Sequence, residues 1–270
     1  MPDVYVMGDV HGYYQRLIAL LQEDAQVIDD HHHWIGGDAI LCLVGDYFDR
    51  GPDGVGVVDL VMNLQQEAPL SGGRVIALLG NHDVWILSAY RFGRKPRNNL
   101  HKAFMASWLR YGGQHSDLER LTPAHVDWLC NCPMMTLIDD RLVIHADALL
   151  YAHYGASVAE VNAAVTGVLK SDNDSAYDIL LDNFADRFAF TELDWYGLKR
   201  ENYTARALRF MKIFGGKQII HGHTPISRMN DQPPQAVVTP YSYAEGLCIN
   251  VDAGIYRGSP GFIYKLPPVE

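Results

Sequence analysis

The chain has 270 residues, of which 48% are hydrophobic and 20% charged, an ordinary globular composition. Its formal net charge of −10 argues against a general binder of nucleic-acid polymers or membrane surfaces, because both need a basic face. No apolar run approaches the roughly 18 residues of a membrane span, and the first residues do not resemble a signal peptide. We therefore expect a cytoplasmic protein whose cysteines are reduced thiols: Cys42, Cys130, Cys132 and Cys248.

The first part of the chain repeats one pattern, in which an apolar strand ends in a loop of glycine and polar residues and a helix follows. Strands at residues 4–7, 39–44 and 74–79 deliver Asp9 and His11, then Asp46, Asp49 and Arg50, and then Asn81, His82 and Asp83. The first helix is predicted over residues 13–23, and the second from Pro52, a good first helical residue, through Leu64. Asp9 alone could simply cap the first helix. Three such loops at strand ends, where open α/β sheets bind ligands, predict a shared site instead.

The second part of the chain supplies two more polar loops. Strands are predicted at residues 133–138, 141–144, 218–220, 247–254 and 261–265. The 141–144 strand ends at His145, and the 218–220 strand leads to His223. Helical periodicity over residues 84–132 and 150–215 interrupts the strands, so we expect helical insertions beside the site within a single domain that spans residues 1–270.

Two further features have a less specific interpretation. Three consecutive histidines at residues 31–33 do not converge on one ion in an extended loop, so a solvated loop is favoured. Trp85, Tyr90 and Trp108 could stack on a nucleobase, but aromatic residues at helical spacing more often belong to a core.

Together the strand-end loops supply oxygen and imidazole ligands without sulfur: Asp9, His11, Asp46, Asn81, His145 and His223. This mixture suits Mn²⁺, Fe or Zn²⁺ better than Ca²⁺ or thiolate-held zinc. A water shared by two such cations loses a proton near neutral pH and can attack phosphorus in line. A planar guanidinium matches phosphoryl oxygens bidentately, and an imidazolium held by a carboxylate can protonate the leaving oxygen.

Five segments, in this order along the chain, resemble the signature of the calcineurin-like metallophosphoesterases. They are Gly-Asp-Val-His-Gly at residues 8–12, Gly-Asp-Tyr-Phe-Asp-Arg-Gly at 45–51, Gly-Asn-His-Asp at 80–83, His-Ala-Asp at 145–147 and Gly-His-Thr-Pro at 222–225. The Asp-Arg-Gly ending is similar to the phosphoprotein phosphatase branch, and the last two segments are similar to its bacterial and phage members, which are serine/threonine or tyrosine phosphatases. The resemblance implies a four-layer α/β/β/α sandwich of mixed sheets, with the ligand loops at one sheet edge.

The resemblance also implies a role for each residue. One metal would be held by Asp9, His11 and Asp46, and the second by Asp46, Asn81, His145 and His223, with Asp46 as the bridge. His82 would be the general acid, oriented by Asp49, and Arg50 would bind two phosphoryl oxygens. The implied cofactors are two divalent metal ions, with manganese favoured and iron or zinc as alternatives.

The chain departs from the family pattern in four places. Asp83 replaces a common glutamate and is expected outside the ligand set. His221 is an extra histidine, because Pro225 stands where the wider superfamily has a further histidine ligand. The family's second phosphate-binding arginine has no exact match, and Arg200 and Lys199 are the candidates for its role. The aromatic and basic insertion has no motif that can be mapped.

We therefore predict a metal-dependent phosphoric monoester hydrolase, favoured as a protein phosphatase for phosphorylated Ser, Thr or Tyr side chains. The alternative is a symmetrical diadenosine tetraphosphatase or another nucleotide phosphohydrolase, which shares the same metal motifs. A non-catalytic, metal-bound scaffold would be favoured if His82, Asp49 or Arg50 were missing, but all three are present. The expected partner is a phosphorylated protein or a small phosphoester, and not a nucleic-acid polymer or a membrane.

Overall fold

The computed structural model describes residues 2–192, 197, 199 and 202–268. The strands are β1 Val4–Met7, β2 Ile40–Leu43, β3 Arg74–Ala77, β4 Met135–Ile138, β5 Arg141–Ile144, β6 Gln218–His221, β7 Tyr241–Tyr243, β8 Cys248–Asn250 and β9 Ile263–Lys265. The α-helices are α1 Tyr14–Ala19, α2 Gly54–Glu67, α3 Asn81–Ser88, α4 Asn99–Arg110, α5 His115–Arg120, α6 Pro123–Asn131, α7 Val158–Lys170, α8 Asp174–Phe184 and α9 Tyr203–Phe214.

The strands form two mixed sheets. The first has the order β3–β2–β1–β9, in which β1, β2 and β3 are parallel and β9 is antiparallel to β1. The second has the order β4–β5–β6–β8–β7, with parallel β5, β6 and β8 between two antiparallel edge strands. The loops after β1, β2, β3, β5 and β6 therefore leave from the carboxyl ends of parallel strands, where ligand sites form.

Alternating side chains give each sheet two apolar faces, because successive residues of a strand point to opposite sides. Val6 and Cys42 of the first sheet share one buried core with Val143 of the second sheet. Their strand neighbours Leu43 and Leu142 belong to the other core, which includes the helices. Helix α2 contacts β3 of the first sheet, while α7 and α9 contact β4 and β6 of the second. The layers are therefore α/β/β/α, and the predicted fold is confirmed.

Helices fill the two stretches in which helical periodicity is predicted. Helices α4 to α6 lie within residues 84–132, and α7 to α9 lie within residues 150–215. Single π-helical turns continue α1 and α3, at Leu20–Asp24 and Ala89–Gly93. None of the described helices combines the length and the hydropathy that crossing a membrane requires. All four cysteines are buried and unpaired.

Several element boundaries differ from the sequence prediction by a few residues, and one strand is added; two of the boundary shifts have a visible cause. Helix α2 begins at Gly54 and not at Pro52, because the Asp53 carboxylate caps it by accepting a 2.9 Å hydrogen bond from the Gly56 N–H. Strand β8 ends at Asn250, whose side-chain oxygen accepts a hydrogen bond from the Asp252 N–H and turns the chain out of the ladder. Strand β7 is absent from the prediction; it is a three-residue edge strand paired with β8.

A buried carboxylate fixes α5 against the start of α2. Asp117 accepts hydrogen bonds from the Gly54 N–H at 3.0 Å and from the Val55 N–H at 3.1 Å. These are donors that a helix N-terminus otherwise leaves unpaired, and the helix dipole favours a negative charge there. Burial nevertheless raises the pKa of Asp117 to about 6. The helical segment after α3 is thus joined to the loop that carries Arg50.

Candidate metal centre

The six predicted ligand residues all lie in loops at the carboxyl ends of parallel strands or at the start of the helix that follows. Asp9, His11, Asp46 and His145 are at most 1% exposed, and His223 is 8% exposed. Three of the six have left-handed backbones: His11 with φ 48°, Asp46 with φ 57° and His223 with φ 68°. A non-glycine residue in this region costs on the order of 1 kcal/mol or more, and such strain clusters at functional sites.

Asp46 lies at the centre of the set. Its Oδ2 is 3.6 Å from His11 Nε2, and its Oδ1 is 3.5 Å from His145 Nε2. Asp46 belongs to both groups of potential metal ligands in the described residues, one with His11 and His82 and the other with His145 and His223. The ligand atoms within each group lie within 4.8 Å of one another. A carboxylate shared by two clusters is the geometry that a bridging ligand needs.

Asp9 lies beside these clusters without belonging to either. Its Oδ2 is 3.9 Å from His11 Nε2, and its carboxylate accepts a 3.1 Å hydrogen bond from the backbone N–H of His223. It does not cap α1, which has no side-chain cap. Asp9 therefore links the first ligand loop to the last.

The hydrogen bonds of His145 show which ring nitrogen faces the site. Its Nδ1 lies 2.9 Å from the carbonyl oxygen of Val44, and because a carbonyl only accepts, Nδ1 carries the proton. The Nε2 of His145 therefore presents a lone pair, 3.1 Å from Asn81 Oδ1 and 3.5 Å from Asp46 Oδ1. These three acceptor atoms have no proton between them to form a hydrogen bond. A cation bound at their centre would stabilise the arrangement.

His223 gives a second sign of the same kind. Its Nδ1 lies 2.9 Å from Asn81 Oδ1, so a His223 ring nitrogen faces the same amide oxygen as His145 Nε2. The other ring nitrogen, Nε2, is buried without a hydrogen-bond partner among the described residues. His145 and His223 also form one potential ligand group with Asp46, and such imidazole and oxygen donors fit a divalent cation of the Mn²⁺, Fe or Zn²⁺ type.

The electrostatics of the carboxylates also favour cations. Burial raises the pKa of Asp9 well above its usual value, and the charges of Asp252 and Asp46 raise it further. Burial would raise the pKa of Asp46 too, but His145 and the other histidines around it lower that pKa below its usual range. A buried cluster of negative charge needs positive partners to be stable.

His82, Asp49 and Arg50 form a connected group next to the ligand set. Asp49 Oδ2 lies 2.7 Å from His82 Nδ1, so the carboxylate holds the ring with its Nδ1 protonated. The guanidinium of Arg50 donates to His82 Nε2 at 2.9 Å and to His11 Nε2 at 2.7 Å. Its Cζ lies 3.9 Å from the centroid of the Tyr256 ring, which holds the guanidinium by a cation–π contact.

Residues at the end of α4 contact Asp49 and Arg50. These contacts are not predicted from the sequence. The indole N–H of Trp108 donates a 2.8 Å hydrogen bond to the second carboxylate oxygen of Asp49, Oδ1. The backbone N–H of Arg50 donates to the Gly112 carbonyl at 2.7 Å. Gly112 has φ +102°, and a Cβ there would come within 2.9 Å of Arg50 Cγ. Trp108 sits at ordinary helical spacing, so nothing in the sequence separates it from a core residue.

Asp83 holds the loop that carries Asp46 through backbone hydrogen bonds. Its carboxylate accepts three backbone hydrogen bonds, from Gly80 at 2.8 Å and from Asp46 and Tyr47 at 2.9 Å each. Burial and then the charge of Asp46 raise the pKa of the Asp83 carboxyl well above its usual value. Asp83 therefore joins the loops after β2 and β3 and lies outside the ligand set.

His221 and the histidines at residues 31–33 are predicted from the sequence not to be ligands. His221 Nε2 lies 2.7 Å from the Tyr243 hydroxyl, and that hydroxyl donates to Asp147 at 3.2 Å. The exposed His33 pairs with Glu67 at 2.7 Å. Histidines 31–33 belong to neither of the ligand groups that the described residues form.

The ligand set opens into a cleft of about 350 Å³. Its lining includes Asp46, Arg50, Asn81, His82, Trp85, Tyr111, Arg187, His223, Arg228 and Tyr256. Arg187 and Arg228 are two cations beside the site that no sequence motif identifies. Arg200, a candidate for the second phosphate-binding residue, lies outside the described residues, and the Lys199 ammonium lies 3.5 Å from the Glu192 carboxylate. Of the three aromatic residues considered for base stacking, Trp85 lines the cleft, whereas Trp108 is buried.

Two known proteins match this chain over different shares of its length. The "Shewanella-like protein phosphatase 1" of Plasmodium berghei is 31% identical over 127 residues, a match that covers 44% of this chain and 35% of that protein. The symmetrical bis(5'-nucleosyl)-tetraphosphatase of Salmonella paratyphi A is 26% identical over 275 residues, covering 97% of this chain and 85% of its own length.

Solved structures share the fold. A cold-active protein-tyrosine phosphatase from a psychrophilic Shewanella species superposes with a TM-score of 0.70 at 20% identity, covering 97% of this chain and 74% of that one. A protein serine/threonine phosphatase from Saccharomyces cerevisiae gives a TM-score of 0.54 at 17% identity, covering 100% of this chain and 81% of that one. The family model of the calcineurin-like phosphoesterases matches residues 2–227, and the chain belongs to that family.

Proposed function

We propose that this protein is a phosphoric monoester hydrolase with two metal ions that dephosphorylates protein side chains. The observation that supports this most strongly is the position of Asp46, which lies between His11 and His145 and next to His82. Potential metal ligands, a carboxylate-held imidazole and an arginine thus meet in one cleft. These are the three components that phosphoryl transfer to water requires.

The proposed ligand sets follow the loops. Asp9, His11 and Asp46 would hold one ion, and Asp46, Asn81, His145 and His223 would hold the other. Two bound divalent cations, Mn²⁺ in the favoured case and Fe or Zn²⁺ as alternatives, would neutralise charge and supply an activated water for in-line attack on phosphorus. The 2.9 Å approach of His223 Nδ1 to Asn81 Oδ1, and the grouping of His223 with Asp46 and His145, support its place in the second set.

The protein's own groups handle the phosphoryl oxygens and the leaving group. Arg50 presents a planar guanidinium held by the ring of Tyr256, and it can pair bidentately with two phosphoryl oxygens. Asp49 fixes the proton on His82 Nδ1, while His82 Nε2 accepts a hydrogen bond from Arg50. Once Arg50 pairs with the phosphoryl oxygens instead, His82 in the imidazolium form can protonate the leaving oxygen from Nε2. Asp49 stabilises the positive charge of that imidazolium.

Two observations bear on the substrate and the compartment. The Plasmodium relative is named a protein phosphatase, which favours a phosphoprotein substrate, although that match covers 35% of the relative. The Salmonella tetraphosphatase matches 97% of this chain, which keeps symmetrical dinucleoside tetraphosphate hydrolysis as the second candidate. Buried and unpaired cysteines support a reducing compartment, so we place the protein in the cytoplasm.

The test is a rate comparison on metal-stripped protein reconstituted with Mn²⁺. The substrates are a phosphotyrosine peptide, a phosphoserine peptide and diadenosine tetraphosphate, and the metal-stripped protein is the control. We expect hydrolysis of phosphopeptide and a much slower reaction of the dinucleotide. Fast hydrolysis of diadenosine tetraphosphate without hydrolysis of either peptide would instead favour a symmetrical dinucleoside tetraphosphatase. Reconstitution with Fe or Zn²⁺ then ranks the metals.

A further inference from the structure

The wall of the cleft next to His82 is aromatic. The Tyr111 ring lies 6.5 Å from the His82 ring in an edge-to-face arrangement with an interplanar angle of 74°. The Trp85 ring lies 5.2 Å from the Tyr111 ring. Both aromatic side chains line the same cleft as Asp46 and Arg50. The group attached to the oxygen that His82 is proposed to protonate would therefore lie next to two aromatic rings.

The two rings lie between solvent and the floor of the cleft. Tyr111 is 43% exposed and Trp85 is half-buried, whereas Asp46 is 1% exposed and His82 3% exposed. The rings are thus closer to solvent than the ligand set, within reach of a side chain that carries a phosphoryl group into the cleft. A cleft of about 350 Å³ is within the size range of ligand pockets and leaves room for more than a phosphoryl group.

The backbone that carries Tyr111 is anchored by contacts of two neighbouring residues. Gly112, the next residue, accepts the hydrogen bond from the Arg50 N–H, and the Trp108 indole one turn earlier is bonded to Asp49. Tyr111 therefore sits on a segment anchored twice to the proposed catalytic group. A rigid ring loses little conformational entropy when it binds a partner.

We propose that Trp85 and Tyr111 form a leaving-group subsite for an aromatic ring, and that the substrate is therefore an aryl phosphate, namely a phosphotyrosine side chain of a protein. This inference rests on the proposed function and adds the choice among phosphorylated side chains. Aromatic pairs are favourable at centroid separations of about 4.5–7 Å, and a phenyl ring that lies against Tyr111 and Trp85 would gain from such pairs. The methylene group of phosphoserine is too small to use these rings.

The test compares two peptides of identical sequence that carry phosphotyrosine or phosphoserine at the same position. We expect the wild-type, Mn²⁺-reconstituted protein to have the higher kcat/KM with phosphotyrosine. Tyr111→Leu, which removes the ring and keeps an apolar side chain, should lower that kcat/KM by roughly fivefold to tenfold, the effect of losing one aromatic pair. The value for phosphoserine should fall by less than about threefold, since no aryl ring is lost there.

Two further variants separate the ring from the fold. Tyr111→Phe keeps the ring and should keep the preference for phosphotyrosine. Tyr90→Leu is the matched control, because Tyr90 contacts Arg94 and does not line the cleft, so both kcat/KM values should stay at the wild-type level. The metal content of each variant, measured by atomic absorption, shows whether the centre has remained intact.

The possible outcomes separate the inference from the proposed function. Equal losses on both peptides in Tyr111→Leu, or no preference for phosphotyrosine in the wild type, would overturn the aryl subsite while leaving the phosphatase in place. A selective loss of diadenosine tetraphosphate hydrolysis in Tyr111→Leu would overturn it in favour of a nucleobase. If the wild type hydrolysed neither peptide, the proposed function itself would fail.

Discussion

Two regions build the candidate site, and they differ in how their residues act. The strand-end loops carry charged or metal-binding groups, are almost wholly buried and hold left-handed residues such as Asp46. The end of α4 contributes an indole N–H, a phenol ring and a glycine carbonyl, none of them charged. In the proposed mechanism the first region supplies the reacting groups and the second holds them in position.

Residues that bind ligands and residues that position them differ in how easily they are recognised in a sequence. A buried aspartate next to histidines is costly in any fold, so its presence at a strand end already indicates a ligand. An aromatic residue on a helix is favourable for packing whether or not its N–H has a second use. Trp108 and Tyr111 can therefore act on Asp49 and His82 without differing from core residues in type or spacing.

The largest expected effect tests the first region alone. Asp46→Asn removes one negative charge from the carboxylate that both ligand groups share. We expect metal content to fall and turnover to drop by about a thousandfold or more, because the neutral amide cannot bridge two cations. Metal analysis alongside kcat checks this. Full metal occupancy in the variant would contradict the bridging assignment.

The next effect tests the contact between the regions at His82. His82→Asn removes the proposed proton donor and leaves the six ligand residues in place. Turnover of a phosphoserine peptide should fall by about 10²–10⁴-fold, the range for losing a general acid, while the metal content stays at the wild-type level. Unchanged turnover on this substrate, whose alkoxide is a poor leaving group, would show that His82 is not the acid.

A smaller effect tests the second region. Trp108→Phe keeps the ring and removes the N–H that bonds to Asp49. Hydrogen bonds to charged groups contribute about 1.5–3 kcal/mol, and we expect roughly half of this free energy to be lost in the transition state. The variant should therefore lose about threefold to tenfold in kcat at unchanged KM and metal content.

Trp128→Phe is the matched control for that variant. Trp128 also donates its indole N–H, but to Gln65 at 2.7 Å and away from the cleft lining. Trp128→Phe should keep the wild-type kcat. Equal losses in the two variants would mean that Trp108 acts only through general stability.

The smallest effect concerns the anchor of α5. Burial raises the pKa of Asp117 to about 6 from a usual value of 3.8, so the folded state binds this proton more tightly than the unfolded chain. This group therefore favours folding below pH 4 and loses that contribution as the pH rises through 6. In Asp117→Asn the free energy of unfolding, relative to wild type, should rise by up to about 3 kcal/mol between pH 4 and pH 7.

Urea unfolding at both pH values measures that difference. Asp172→Asn is the control, since the Asp172 side chain is fully exposed at 103%. Its free energy of unfolding relative to wild type should not change between the two pH values. A flat difference for Asp117→Asn as well would mean that the two backbone hydrogen bonds to Asp117 already offset its burial.

The sequence predicts the sheets and the ligand loops well, because apolar runs that end in Gly and Asp or His combine two strong signals. It places the start of α2 at Pro52 instead of Gly54, because the capping hydrogen bond from Gly56 to Asp53 decides that boundary. It misses β7, in which Ser242 separates two half-buried tyrosines on a short edge strand with little apolar pattern. The roles assigned to the site residues, and the single domain of residues 1–270, remain predictions.

The second region and the cleft cations are harder to predict for a physical reason. Arg187 and Arg228 reach the cleft from segments far apart in the chain, and a surface arginine is common in any protein. Their position depends on packing that no local pattern records. Long-range contacts of this kind follow from the fold and not from spacing.

The pairing of β9 with β1 has a consequence for synthesis on the ribosome. Tyr5, Val6 and Met7 pair with Lys265, Tyr264 and Ile263, so β1 remains an unprotected edge until residue 265 has emerged. The Asp9 loop at its end likewise waits for His223, whose backbone N–H it accepts. Asp9 and His223 lie 214 positions apart, so a nascent chain cannot complete the proposed ligand set until residue 223 has emerged.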